Sequence, residues 1–209
     1  MVKNIVLDFG HGGLGSNGLY TTAPAKMHVH VNGETAYEGV LNRQIGGHVY
    51  TCLRSHSEFN VVCTVKEDDS RDMALSQRVR VANSFDSKST IFVSIHCNAS
   101  PQHNASGFEI FTTNGLTKSD ILAEDIINAV EHIYQNVNMK LRYDLSDGDK
   151  DKEADFYVLR KTSCPAVLIE CGFFDYRLDF DKLKDPIFQG NLGSFIYTGI
   201  LNYIRRTNG

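Results

Sequence analysis

The sequence predicts an α/β fold: one domain on a mostly parallel, twisted sheet of about six strands, with helices on both faces. Three observations predict it. Short runs of apolar, β-branched and aromatic residues recur at 4–9, 59–65, 90–95, 107–112, 156–159 and 165–169, as buried strands do. Stretches with apolar residues at helical spacing lie between several of them, and that alternation implies parallel crossovers. The 209 residues suffice for one domain with a real core and are short for two; no repeat, low-complexity tract or linker divides them.

The strand at 4–9 runs into Gly10-His11-Gly12-Gly13, a tight turn that lets another group approach the backbone. Residues 14–37 are polar and irregular, but 27–34 alternates and reaches Asn32-Gly33, a hairpin signal. His28 and His30 share one face of that hairpin, which reads as solvated, with a metal role as the alternative. A helix over 38–56 turns Leu41, Ile45, Val49 and Cys52 inward, with Glu38 in its first turn, where a carboxylate suits the helix dipole. The strand at 59–65 precedes a helix over 72–84, with Leu75, Val79 and Ala82 inward and Arg71, Gln77, Arg78 and Arg80 largely on other faces.

The strand that ends at His96 and the short strand at 107–112 follow. Thr117 and Asp120 outline a capping box that opens a long amphipathic helix with Leu122, Ile126, Ala129, Val130, Ile133 and Val137 on its apolar face. Residues 143–155 read as a mobile, solvated loop. Asp147, Asp149 and Asp151 hint at calcium there, but no Glu closes the loop at the EF-hand position. The strands at 156–159 and 165–170 come next. Asp185-Pro186 then opens a final helix whose Ile187, Leu192, Phe195, Ile196, Ile200 and Tyr203 can cover the sheet.

The net charge of −4 argues against a nucleic-acid partner. No basic segment followed by an apolar run suggests a signal peptide, and no apolar stretch approaches a membrane span. Five cysteines, an odd number with no C-x-x-C pair, fit buried thiols. Cys97 and Cys171 each follow a candidate functional residue, so they face the other side of their strands.

Two strands end in residues that handle protons or metals, His96 and Glu170, and a third runs directly into His11 in the glycine turn. The C-terminal mouths of strands are where open α/β sheets bind ligands. Hydrolytic zinc sites take three protein ligands from His, Asp and Glu. His11 and His96 can meet above one sheet edge, and Glu38, at the start of the following helix, can complete the set. Glu34 and, more weakly, Glu109 compete with it. A base outside the metal shell must take a proton from water and pass it to the leaving amine. Glu170 is suited to that, since burial raises a carboxyl pKa.

These residues carry a family resemblance. The runs 8–13, 75–83, 94–99 and 156–173, with Glu38 four before Asn42, match in order, and the chain resembles the zinc-dependent N-acetylmuramoyl-L-alanine amidases of the amidase-3 family over nearly its whole length. The resemblance implies that His11, Glu38 and His96 bind one Zn2+ and that Glu170 is the catalytic glutamate. It implies peptidoglycan as the substrate, cut between N-acetylmuramic acid and L-alanine of the stem peptide. It favours Glu38 over Glu34 through the spacing to Asn42, and Asn98 fits a role in orienting the site. Two rival readings are a zinc peptidase cutting within the stem peptide and a non-catalytic wall-binding module.

The chain also departs from the family pattern. Phe9 stands where proline is common, and the segment between Gly13 and Glu38 is long. With no wall-binding repeats, residues 1–209 read as a catalytic domain alone. That suggests a phage or prophage lysin held in the cytoplasm until a holin releases it, or a trimmed secreted domain acting at the wall. The long segment is expected to wall the groove with Tyr20, His28, His30 and Tyr37, and to tolerate replacement of 19–35 by a short linker.

Overall fold

The computed structural model describes residues 1–22 and 26–208. In chain order the elements are β1 (Asn4–Phe9), β2 (Met27–Val29), β3 (Thr35–Tyr37), α1 (Glu38–Leu53), β4 (Asn60–Cys63), α2 (Leu75–Ala82) and β5 (Thr90–Asn98). Then come β6 (Glu109–Thr112), α3 (Lys118–Asn136), β7 (Lys152–Glu153), α4 (Tyr157–Lys161), β8 (Ala166–Phe173), α5 (Arg177–Leu183) and α6 (Pro186–Asn208). Six strands form one sheet in the order β4-β1-β5-β8-β6-β7. All neighbours are parallel except β6, which runs antiparallel to β8. The α/β class, the single domain and the strand count are as the sequence predicts.

Alternation along the strands sorts the side chains into two layers of unequal depth. Ile5, Leu7, Phe9, Ile91, Val93, Ile95, Cys97, Val167, Ile169 and Cys171 face the thick layer with α1, α3 and α6. Both cysteines pack away from the site, and burial pushes the Cys97 thiol up. Val6, Phe92, Ala166 and Leu168 face a thin layer made by α2 and α4. Asp8, Ser94, His96 and Glu170 follow the same alternation onto this thin side. Two short helices cover it only in part, so its far end stays open to solvent.

Thr117 caps α3 as expected, its hydroxyl accepting from Ser119 N at 3.0 Å. Four expectations need correction. Residues 156–159 begin a helix, α4, because an apolar run this short carries no period to tell helix from strand. The sixth strand comes instead from 143–155, where Lys152–Glu153 pairs with β6. Arg78, placed at the sequence level on an outer face of its helix, is 2% exposed. Leu75 and Ile187, expected inward, are 52% and 74% exposed.

The charged segment before β7 is therefore tied down. Asp151 is buried, its Oδ2 accepting from Thr112 Oγ1 at 2.6 Å, while its Oδ1 has no partner. Burial, reinforced by the neighbouring Asp149, pushes its carboxyl up to about 7 despite that hydrogen bond. This folded value lies above the unfolded one of about 3.9, so ionising Asp151 costs stability progressively as pH rises between them. Asp151→Asn should match the parent's urea stability at about pH 4, exceed it increasingly as pH rises toward about 7, and keep that lead at higher pH. Parallel unfolding curves at about pH 4 and pH 8 measure the difference.

Candidate metal centre and active-site cleft

β1 ends in a turn that cannot relax. His11 has φ 61°, a left-handed conformation that a non-glycine residue adopts at some cost. Its neighbours hold it there. Thr22 Oγ1 accepts from Gly12 N at 2.6 Å and Thr21 Oγ1 from Gly13 N at 3.1 Å. Arg78 Nη2 donates to the His11 carbonyl at 3.2 Å. The start of α1 then presses onto the turn: a Cβ at Gly39 would lie 1.8 Å from the Gly12 carbonyl oxygen. Only glycine permits that approach, and it carries Glu38 to the side of His11. Arg43 Nη1 bridges the contact, donating to the Gly12 and Gly39 carbonyls at 2.9 Å each. Gly10 serves the third residue, because a Cβ there would meet the His96 ring at 2.1 Å.

The three candidate ligands converge. Glu38 Oε1 lies 3.2 Å from His11 Nε2 and 3.0 Å from His96 Nδ1. One donor atom from each residue falls within 4.8 Å of the others, and no other such cluster exists among the described residues. Glu38 is 2% exposed, and its Oε2 has no hydrogen-bond partner. Burial opposes its ionisation, but the imidazoles of His11 and His96 hold it below the usual carboxylate range. Burial pushes His11 down toward its neutral form. An ionised carboxylate beside a neutral imidazole is what a metal requires, and the orphaned oxygen, the spacing and the donor set all fit a divalent cation of the zinc type.

Glu170 stands one strand away. It is the register partner of His96 across the β5–β8 pair, so both side chains leave the sheet on the same face. It is half-buried, and its Oε2 has no partner. Burial, then the charge of Glu38, pushes its carboxyl well above the usual range. His11, Lys26, Leu75, Phe156, Tyr157, His96 and Glu170 line one cleft of about 510 Å3.

The competing carboxylates lie elsewhere. Glu34 is in the hairpin return as expected, bonded to Lys184 and Arg177 at 2.7 Å each. Glu109 is the register partner of Glu170 but is neutralised by Lys152, at 2.6 Å, and by Arg142. Asn98 Nδ2 donates to Glu109 Oε2 at 2.8 Å rather than to a candidate ligand; Asn42, which sequence reasoning used only for spacing, donates to the Gly10 carbonyl at 3.1 Å.

Two functional features escaped the sequence reading. One is a buried ion pair under the turn. Arg78 Nη1 donates to Asp8 Oδ1 at 2.7 Å and to the Phe9 carbonyl at 2.6 Å, while Asp8 Oδ2 accepts from Ser94 Oγ at 2.7 Å. The other is the anchoring of the long segment. Beyond Thr21 and Thr22, Tyr20 Oη accepts from Gly39 N at 2.9 Å, and His30, buried rather than solvated as expected and stacked on Phe180, donates from Nε2 to the Phe174 carbonyl at 3.1 Å. Replacing 19–35 would strip these supports from the His11 turn, which corrects the expectation that the segment can be excised freely. It does border the site: Lys26 places its ammonium 3.5 Å from Glu38 Oε2.

Residues 5–202 match the family model described as N-acetylmuramoyl-L-alanine amidase. The chain belongs to that family. It is similar to N-acetylmuramoyl-L-alanine amidase LytC of Bacillus subtilis, 27% identical over 97% of this chain and 36% of that protein. It is likewise similar to an endolysin of Bacillus phage SPP1, 28% identical over 100% of this chain and 70% of the endolysin. The chain spans about a third of the length of LytC and of a cell wall amidase of Bacillus anthracis, at 36% and 35%. The N-acetylmuramoyl-L-alanine amidase from Clostridium difficile 630 superposes with a TM-score of 0.77 at 28% identity, over 98% of this chain and 97% of that one. The catalytic domain of CwlV, an amidase from Bacillus (Paenibacillus) polymyxa, gives 0.75 at 26%, over 98% and 99%. No helix among the described residues is long and apolar enough to cross a membrane.

Three substitutions test how this family member builds its site. Glu38→Ala should abolish stoichiometric retention of a divalent metal ion after dialysis, and Glu34→Ala should not, because only Glu38 converges with the histidines; metal analysis of both variants decides it. Arg78→Met leaves Asp8 buried and unpaired, and should lower unfolding free energy by about 3–5 kcal/mol, the usual result of removing one partner of a buried pair. Denaturant titration at neutral pH measures it.

Proposed function

We propose that the chain hydrolyses peptidoglycan at the amide between the lactyl group of N-acetylmuramic acid and the L-alanine of the stem peptide. We read residues 1–209 as one catalytic domain acting at the cell wall. The observation that carries the proposal is the placing of Glu170 beside the His11, Glu38 and His96 cluster in one cleft of an amidase-family chain. Relatives named as N-acetylmuramoyl-L-alanine amidases and as an endolysin support the substrate.

In this reading His11, Glu38 and His96 hold one Zn2+. When bound, zinc supplies a Lewis acid for the carbonyl and brings the pKa of a coordinated water down to about 7. The chain's own residues do the rest. Glu170 accepts the proton of the attacking water and returns it to the departing nitrogen of L-alanine. Its burial keeps the carboxyl well above the usual range, the direction needed by a group that must both take and give a proton near neutrality. Leu75, Phe156 and Tyr157 present partly exposed apolar surface along the cleft, suited to the faces of a sugar and a short peptide.

Digestion of purified sacculi followed by mass spectrometry tests the bond cleaved. New amino termini should be those of L-alanine alone; any other new terminus identifies a peptidase. Glu170→Gln should keep the parent's zinc content and lose about 10²–10⁴-fold in turnover, the usual worth of general acid–base catalysis. Metal analysis beside a sacculus-clearing assay reads both.

A further inference from the structure

We propose that Lys26 is a catalytic residue of this site, its ammonium meeting the negative charge that develops on the carbonyl oxygen of the scissile amide. The inference rests on the hydrolytic reading above and extends it to a residue outside the ligand set. In the step concerned, the oxygen of water bonds to the carbonyl carbon and its proton passes to Glu170. The carbonyl π pair moves onto the substrate oxygen, which becomes an alkoxide. The carbon–nitrogen bond then breaks, the proton goes to nitrogen, and the pair on oxygen restores the carbonyl. The alkoxide needs a cation or donor held in place beforehand.

Lys26 is placed for that. Its ammonium lies 3.5 Å from Glu38 Oε2, and it lines the same cleft as His11, His96 and Glu170. It therefore shares with the metal cluster and the base the space in which the amide must react. The other cation lining the cleft, Arg78, is consumed by Asp8 and by backbone carbonyls. Lys26 side chain is 43% exposed, so it keeps donors free for a substrate.

An ion pair with Glu38 does not account for the residue: Glu38 Oε1 is already placed between two imidazoles, and Lys26 makes no hydrogen bond to Oε2. Lys26 faces the cleft, beside Met73, Leu75 and Phe156. Nor is its position accidental. It directly precedes β2, and the hairpin of β2 and β3 is fastened by His30 to the Phe174 carbonyl. Tyr20, on the other side, is fastened to the first turn of α1. The described residues of the long segment thus bring one cation to the cleft.

Lys26→Met, Lys26→Arg and the parent, all zinc-loaded, would be compared on a soluble muropeptide for kcat and KM, and by chelator competition for zinc affinity. Removing an oxyanion partner should lower kcat about 10²–10³-fold with little change in KM, and Lys26→Arg should recover part of it. Zinc should bind Lys26→Met as tightly as the parent or more tightly, because a neighbouring like charge is gone. Weaker zinc binding would make Lys26 a structural partner of Glu38 and overturn the proposal. A raised KM at unchanged kcat would make it a substrate anchor and overturn it as well. A parent that cleaves the amide alongside an equally fast Lys26→Met overturns only the role of Lys26; a parent that cleaves no amide overturns the functional reading and this inference together.

Discussion

The buried carboxylate of Glu38 is the constraint that the rest of the site answers to. An ionised group taken out of water is expensive unless it is paired and hydrogen-bonded. Here one oxygen sits between two imidazoles and the other faces an ammonium across 3.5 Å without a hydrogen bond. Holding that arrangement demands that a helix start, a strand end and a left-handed turn meet at one point. The close contact of Gly39 with Gly12 makes the meeting possible, and any side chain there would force the helix away.

Beneath it lies a second electrostatic layer made of arginines. Arg43 spends its guanidinium on four backbone carbonyls, those of Gly12, Gly39, Asp69 and Arg71, and has no carboxylate. Burial pushes its pKa down, yet arginine stays charged over any ordinary pH. Arg78 divides its donors between Asp8 and the carbonyls of Phe9 and His11. Such pairs contribute little net stability, because desolvation offsets their attraction. What they do here is geometric: both arginines hold the same short stretch, 9–12, from opposite sides.

The long segment between the turn and α1 belongs to this frame. Its threonines cap the amides of the turn, its tyrosine caps the first turn of α1, and its hairpin reaches the loop after β8 through His30. A segment whose described residues touch three elements of the site is a buttress rather than a solvated ornament.

Much of this was legible in the sequence. The α/β class, the parallel order and the three chemical side chains at His11, His96 and Glu170 follow from local patterns, because period-two burial and the residue closing each run are written within a few positions of one another. The helix start at Glu38 was legible for the same reason. Tertiary structure decided the rest. Whether Glu38, Glu34 or Glu109 joins the histidines depends on which carboxylate the packing brings to them; Glu34 and Glu109 are held instead by lysines and arginines from residues 142–184. Whether Arg78 is solvated or buried depends on Asp8, seventy positions away. Whether 152–153 or 156–159 completes the sheet depends on what lies beside β6. Local pattern determines which residues can form a strand, a turn or a ligand. Desolvation and pairing between distant segments determine which of those residues meet.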